Sequence, residues 1–322
     1  MKIALFGKNI DERSMGDFIR LMHLLNNKPN IEWSVYTPFY ERYKEKVQFP
    51  KGSLFNDYSD LLPDNDLFLA LGGDGTILDS LTLVRDKEIP VAGINFGRLG
   101  FLTTESVDEQ NLWMDDILKK DYKVNSRTLL HVCKPGLDCC LYGAGEIYPY
   151  ALNEVSIQRI EPAMLEIHVK IDGEPIPVYW ADGILIATAT GSTAYSLSVG
   201  GPVVTPDSKV LIISPIAPHN LNVRPLIVPQ SSRVELFFTG RVDEAQLTMD
   251  NRYFKIGKDE TVVVRTADYT LNCITLNNNF FRALNEKLLW GEDKRNMRKS
   301  AQVFGLFVVI SPSIHYICGL FV

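Results

Sequence analysis

The chain has 322 residues, of which 46% are hydrophobic and 22% charged, and 39 acidic against 33 basic residues give a net charge of -6. That length exceeds one hydrophobic core and predicts two domains of ordinary globular composition. The acidic balance excludes a general nucleic-acid or acidic-membrane binder, which needs a basic footprint, and leaves room for a local phosphate pocket.

Lys2 to Phe6 reads as a first buried strand, and Gly7-Lys8-Asn9 ends it too soon for a signal peptide. Met15, Phe18, Ile19, Met22 and Leu25 recur at helical spacing. A strand over Ile31 to Tyr36 and a weak helix over Phe39 to Val47 follow. Leu67 to Leu71 is five apolar residues in a row, the pattern of a strand buried on both faces. It breaks into Gly72-Gly73-Asp74-Gly75-Thr76, and Ile77, Leu78, Leu81 and Val84 then continue at helical spacing. A Gly-rich turn between strand and helix lies where open α/β sheets bind ligands. Glycines let backbone amides approach a phosphate, and the helix terminus favours its charge. A lone carboxylate beside a polyanion fits a proton acceptor or a magnesium contact. On its own the stretch is as well read as an Asp-Gly turn whose carboxylate caps its own helix.

Val91 to Ile94 predicts another strand, running into Asn95-Phe96-Gly97-Arg98-Leu99-Gly100-Phe101-Leu102, whose glycines do not make the dinucleotide fingerprint. Ser106 with Glu109 forms a capping box for a helix from about Val107 to Lys119. Alternating strands and helices imply a Rossmann-like parallel sheet, an α/β domain over residues 1–120.

Beyond Asp121 helical spacing disappears. Strands are expected at Thr128 to Cys133, Ala151 to Gln158, Leu165 to Ile171, Ile184 to Ala187, Val210 to Ile213, Val234 to Phe238, Gln246 to Met249 and Thr261 to Arg265. Asp172-Gly173 signals a hairpin turn. Residues 121–278 thus read as a β-rich, β-sandwich-like domain. Phe280 to Trp290 predicts a helix, stopped by Gly291, and a segment over 279–295 is expected to return to the first domain. The tail, 296–322, is almost wholly apolar from Val303. Its length suits a bilayer span, but Ser311, Pro312, Ser313 and His315 interrupt it, so a poorly ordered extension or an apolar segment packed on the surface is expected rather than an anchor. The five cysteines, Cys133, Cys139, Cys140, Cys273 and Cys318, lack CxxC spacing and read as free thiols of a reducing cytoplasm, with no metal site.

Two further stretches carry chemistry. Asn153-Glu154 heads a strand; an amide beside a carboxylate can read an adenine edge and a ribose diol, or simply be a solvated strand end. Asp182-Gly183 opens an apolar run that leads into Thr188-Ala189-Thr190-Gly191-Ser192-Thr193-Ala194-Tyr195-Ser196-Leu197-Ser198. That hydroxyl density offers donors to phosphate or ribose and Tyr195 a ring for stacking, although Ser/Thr clusters are also ordinary helix caps. His219 in its Pro-rich loop reads as structural.

Together these stretches resemble the NAD kinase family, in order and spacing over roughly Met1 to Arg295. Gly-Gly-Asp-Gly-Thr alone is shared with lipid kinases; the Thr-Gly-Ser-Thr-Ala-Tyr block with Asn-Glu is far more specific. Pro218-His219 and Arg224-Pro225 close the set. The resemblance implies phosphoryl transfer from ATP, with magnesium or another divalent ion, to the adenosine 2′-hydroxyl of NAD. Asp74 would be the base, and Gly72, Gly73, Gly75 and Thr76 would face the phosphates. Asn153 and Glu154 would hold the adenosine half of NAD. Asp182, Thr190, Thr193, Ala194, Tyr195, Ser196, Leu197, Ser198 and Ala217 would complete the cofactor contacts. Homo-oligomers, dimers or tetramers, are implied as well. Competing readings are a lipid kinase built on the same turn and an NAD-binding sensor without turnover. The chain departs from the family pattern at Tyr179-Trp180-Ala181, where a basic residue is common, at Asp250-Asn251, where Asp-Gly is common, and between Gln158 and Met164, which lacks a histidine.

Overall fold

The computed structural model describes residues 1–96, 100–103, 105–106, 110–135, 148–220, 222–276 and 280–288. Residues 1–280 form one compact unit and 281–322 a second.

The first part of the chain alternates as its apolar spacing dictates. β1 (Lys2–Gly7), α1 (Met15–Asn26), β2 (Glu32–Tyr36), α2 (Thr37–Tyr43), β3 (Gly52–Phe55), β4 (Leu67–Leu71), α3 (Asp74–Val84), β5 (Val91–Asn95), β6 (Glu105–Ser106) and α4 (Gln110–Leu118) follow in order. α2 ends before the expected Val47, and β3 is a strand that its mostly exposed sequence did not announce. Ser106 and Glu109, the expected capping box, lie outside the residues whose side chains are described. β1 pairs in parallel with β2 and with β4, and β4 with β5. The helices cover both faces. Phe18, Met22 and Leu25 of α1 and Trp113 and Ile117 of α4 pack on Leu5, Leu69 and Ile94. Ile77, Leu81 and Val84 of α3 pack on Phe6, Phe68 and Ala70 from the opposite side. Burial on both sides is why β4 reads as an unbroken apolar run.

Strands dominate the rest: β7 (Lys123–Cys133), β8 (Tyr150–Ala151), β9 (Glu154–Arg159), β10 (Leu165–Ile171), β11 (Glu174–Ala181), β12 (Gly183–Thr188), β13 (Val210–Ile216), β14 (Leu226–Pro229), β15 (Val234–Thr239), β16 (Glu244–Met249), β17 (Arg252–Gly257) and β18 (Val262–Thr275). A short α5 (Tyr195–Ser198) follows β12, and α6 (Phe280–Leu288) closes the described chain. The Asp172-Gly173 hairpin forms, with Ile171 opposite Glu174. Its second strand carries Pro175 and Pro177 and lies at a sheet edge, where missing amides do little harm.

These strands do not make an isolated sheet pair. β10, β11, β15 and β18 extend the parallel sheet, with β18 crossing from antiparallel partners to a parallel contact at Cys273 opposite Val91. The result is a 12-stranded sheet beside a six-stranded antiparallel one ordered β14-β13-β12-β9-β16-β17. Their inner faces meet in one core containing Ile167, Leu236 and Val264 from the first sheet and Ile157, Ile186 and Leu247 from the second. The arrangement is α/β with a β-sandwich half, as expected, but one sheet spans both halves. Cys133 and Cys273 are buried and form no disulfide. Among the described residues no helix is long and apolar enough to cross a membrane. Cys139, Cys140 and the tail from 296 lie outside the described residues.

Candidate functional site

β4 delivers the Gly-rich turn to the carboxyl edge of the parallel sheet. Gly72 accepts the bend, its amide bonded to Ile94 O at 2.9 Å, and Gly73 caps α3. Asp74, Gly75 and Thr76 form the first turn of that helix. The Asp74 carboxylate reaches beyond its own helix. It receives the backbone amides of Phe101, Leu102 and Thr103 at 3.0, 3.1 and 3.3 Å. Thr103 Oγ1 in turn accepts the Gly100 amide at 2.6 Å. A Cβ at position 100 would lie 1.8 Å from Asp74 Oδ1, so this approach requires glycine. Residues 97–99, part of the second Gly-punctuated loop, lie outside the described residues.

Asn153 and Glu154 are not a solvated strand end; they are 8% and 9% exposed. Their backbone is pinned from a distant turn. The Asp250 carboxylate accepts the amides of Leu152, Asn153 and Glu154 at 2.8, 2.8 and 3.2 Å, and the Asp250 amide returns a bond to Glu154 O at 3.0 Å. The Asp250 side chain is 1% exposed, and burial raises its pKa. Glu154 Oε2 is buried and has no partner. Burial first, then the Asp250 charge, lift the Glu154 pKa to about 8, against the opposing Tyr195 amide. A buried carboxyl oxygen without a donor is costly unless a ligand completes it.

The hydroxyl-rich stretch closes on the same strand head. Thr188 Oγ1 donates to Leu152 O at 2.7 Å and accepts the Gly191 amide at 3.0 Å. Thr190 to Thr193 form a tight helical turn before α5. A Cβ on Gly191 would stand 2.1 Å from Asn153 O, so the turn lies directly on the Asn153 backbone. Ser196 Oγ is buried and unpartnered. Asp182 is reached by Arg159, Nη2 to Oδ2 at 3.0 Å, and its amide bonds Ile216 O at 3.0 Å, which sets Ala217 beside it. His219 is exposed, its amide bonded to Trp180 O at 2.7 Å.

The expected residues therefore fall into two groups: Asp74 with the Gly72–Thr76 turn, and Asn153, Glu154, Asp182, Ala217 and the 190–198 stretch. Sequence reading missed the roles of Asp250, Arg159 and the loop amides that hold Asp74. The Asp250-Asn251 pair was visible only as a departure from pattern. Among the described residues no group of three His, Cys, Asp or Glu side chains could hold a metal ion.

A phosphate-favouring helix terminus on a parallel sheet, joined to a second sheet with a buried, incompletely bonded amide–carboxylate pair, defines a nucleotide-binding α/β enzyme. Residues 60–122 match the ATP-NAD kinase N-terminal domain and residues 152–276 the ATP-NAD kinase C-terminal domain. An NAD kinase of Flavobacterium psychrophilum is 36% identical over 301 residues, covering 92% of this chain and 100% of that one. An NAD kinase of Cytophaga hutchinsonii is 37% identical over 300 residues, with 92% and 100% covered. Among solved structures, yeast NADH kinase complexed with NADH superposes with a TM-score of 0.78 at 26% identity, covering 91% of this chain and 88% of that one. An Archaeoglobus fulgidus NAD kinase in complex with ATP shares the fold, at a TM-score of 0.65 and 24% identity, with 90% and 99% covered. The chain belongs to the NAD kinase family and is a kinase acting on NAD, with ATP as phosphoryl donor.

Proposed function

We propose that Asp74 accepts the proton of the adenosine 2′-hydroxyl of NAD as the terminal phosphoryl group of ATP moves to that oxygen, giving NADP. The observation that carries the reading is the unpartnered, buried Glu154 oxygen beside Asn153. A carboxyl poised near neutrality, with a vacant acceptor, suits a ribose hydroxyl; the adjacent amide suits an adenine edge. On the other side, Gly72 to Thr76 open a helix whose terminus favours phosphate. Phosphoryl transfer is mostly positioning and charge stabilisation, so a carboxylate held by three loop amides is an adequate base. Magnesium or another divalent ion would supply further charge neutralisation and would ride on the phosphates of ATP, since the described side chains offer no cage for it.

In the same reading Asp182, Thr190, Thr193 to Ser198 and Ala217 take the rest of NAD. The yeast relative complexed with NADH supports a dinucleotide there. Functionally the chain divides into a donor half, 1–120, and an NAD half, 121–278. It works in a reducing cytoplasm, in keeping with the unbridged Cys133 and Cys273, and assembles as a dimer or tetramer.

The test is direct. The purified protein is incubated with NAD, ATP and magnesium, and NADP is read with an NADP-specific dehydrogenase. Steady NADP formation that disappears in Asp74→Asn is expected. Equal rates in the two proteins would remove Asp74 from the mechanism, and no NADP from the wild type would remove the reading itself.

A further inference from the structure

Asp79 and Asn251 belong to neither group of site residues, yet they connect them. Asp79 lies on α3, one and a half turns beyond Asp74. Its Oδ1 accepts from Asn251 Nδ2 at 2.7 Å, across 172 residues of sequence. Its Oδ2 pairs with Lys8 Nζ at 2.7 Å. Lys8 directly follows β1, whose Gly7 stands beside Leu71 in the parallel ladder. Asn251 directly follows Asp250, whose carboxylate holds the backbone of Asn153 and Glu154. Arg252, next again, donates to Tyr148 O at 2.6 Å and to Tyr150 O, so the β16–β17 turn is fixed from its far side too.

A continuous path thus runs from the helix carrying Asp74, through Asp79 and Asn251, to Asp250 and the Asn153-Glu154 strand head. Asp79 is well placed for this use. Its side chain is 18% exposed, and Lys8 balances its charge while leaving one oxygen for the amide.

We propose that Asp79 and Asn251 are positioning residues. Their hydrogen bond sets the helix that carries the donor site against the turn that anchors the NAD site, and so aligns the phosphoryl group with the 2′-hydroxyl. Neither residue touches substrate in this scheme. The inference rests on the reading of Asp74 and Asn153-Glu154 given above. It assigns a role to Asn251, where the family pattern commonly has glycine and no side chain could make the link.

Alignment of two bound reactants affects turnover more than binding, and a displacement of about 1 Å can cost up to about 10²-fold. Asn251 is exposed, so Asn251→Ala should fold. The expected result is a kcat lower by about tenfold. Calorimetric Kd values for NAD and for ATP should stay within about twofold and the thermal midpoint should be unchanged. Asp79→Ala should lower kcat at least as much, and the double variant should be no worse than the worse single one, because both remove one bond. Unchanged kcat in Asn251→Ala overturns the inference, as does a loss of kcat that tracks weaker NAD binding or a lower midpoint. So do effects that multiply in the double variant. Wild-type turnover is the reference: its absence would overturn the function itself, whereas normal wild-type turnover with an unaltered Asn251→Ala overturns this inference alone.

Discussion

The two halves of the site are held in opposite ways. Asp74 sits on a short local device: strand, glycine turn, helix, and a loop that folds back within 29 residues to present its amides. Its residue is half-buried and its acceptor capacity is largely met by backbone. Asn153 and Glu154, with the neighbouring Leu152, are held by Thr188 and Asp250 from far along the chain, and are buried with an acceptor left over. The first half resembles a finished tool, oriented before any substrate arrives. The second resembles a socket whose polar groups are completed by what enters it. The contrast separates chemistry, which needs a rigid group, from recognition, which benefits when the wrong ligand leaves a buried group unpaired.

The sharpest way to break that comparison is at Asp74. Asp74→Asn keeps the size and most of the loop bonds but removes the base. A loss of at least about 10²-fold in kcat is expected, with NAD affinity retained by calorimetry. The corresponding break on the socket side is Asp250→Ala. It strips three consecutive amides of their acceptor, and the full desolvation penalty of such groups falls on folding. A loss of about 3 kcal/mol is expected in urea titrations, together with weaker NAD binding and little change in ATP affinity. If the two variants instead behaved alike, both losing kcat alone, the division into tool and socket would be wrong.

That division also explains what could be read in the sequence. The tool is local, so its residue types at their spacing disclose it: five apolar residues, a glycine turn, helical periodicity. The same holds for the Asp172-Gly173 hairpin and the Leu165–Ile171 strand, found with the expected bounds. The socket is nonlocal. Asn153-Glu154 is ambiguous by itself, and Asp250 lies in an ordinary-looking turn whose purpose appears only when β16 pairs with β9 and sets Met249 against Val155. Arg159 likewise meets Asp182 only because β9 and β12 are neighbours. The joining of the parallel and antiparallel parts of the large sheet through β18 was invisible for the same reason. Only Thr261 to Arg265 read as a strand, whereas β18 runs on to Thr275 past a register shift between Thr266 and Thr270.

Glu154 offers a subtler test through pH. Its folded pKa is raised to about 8 from 4.5, chiefly by burial, with Asp250 adding to the shift. A carboxyl with a raised folded pKa contributes stability that is whole below its unfolded value and is lost as pH climbs through the folded one. The unliganded wild type should therefore lose stability between pH 4.5 and 8, a loss that Glu154→Gln escapes. Thermal midpoints from pH 4 to 9 should show the variant gaining on the wild type across that window, by up to about 5 kcal/mol, and running parallel above it. Parallel curves throughout would mean that Glu154 is already satisfied without a ligand. Saturating NAD should narrow the gap, because the wild-type carboxyl then has its donors.

The smallest expected effect, Thr188→Val, asks whether the socket is stiff or merely buried. Thr188 is fully buried, and its hydroxyl gives one bond to Leu152 O and takes one from the Gly191 amide. Valine keeps the shape and the branched χ1 preference, so packing is preserved and only the two bonds are lost. The neighbouring bond from the Thr188 amide to Asn153 O, 2.9 Å, belongs to the backbone and survives. About 1 kcal/mol of stability should go. If the hydroxyl also fixes the 190–193 turn against Asn153, NAD affinity should fall by about the same free energy, roughly fivefold, while ATP affinity and the properties of Asp74 stay as they are. A loss of stability with NAD affinity untouched would mean that the strand head is held by Asp250 alone, and that the hydroxyl-rich turn closes on it without steering it.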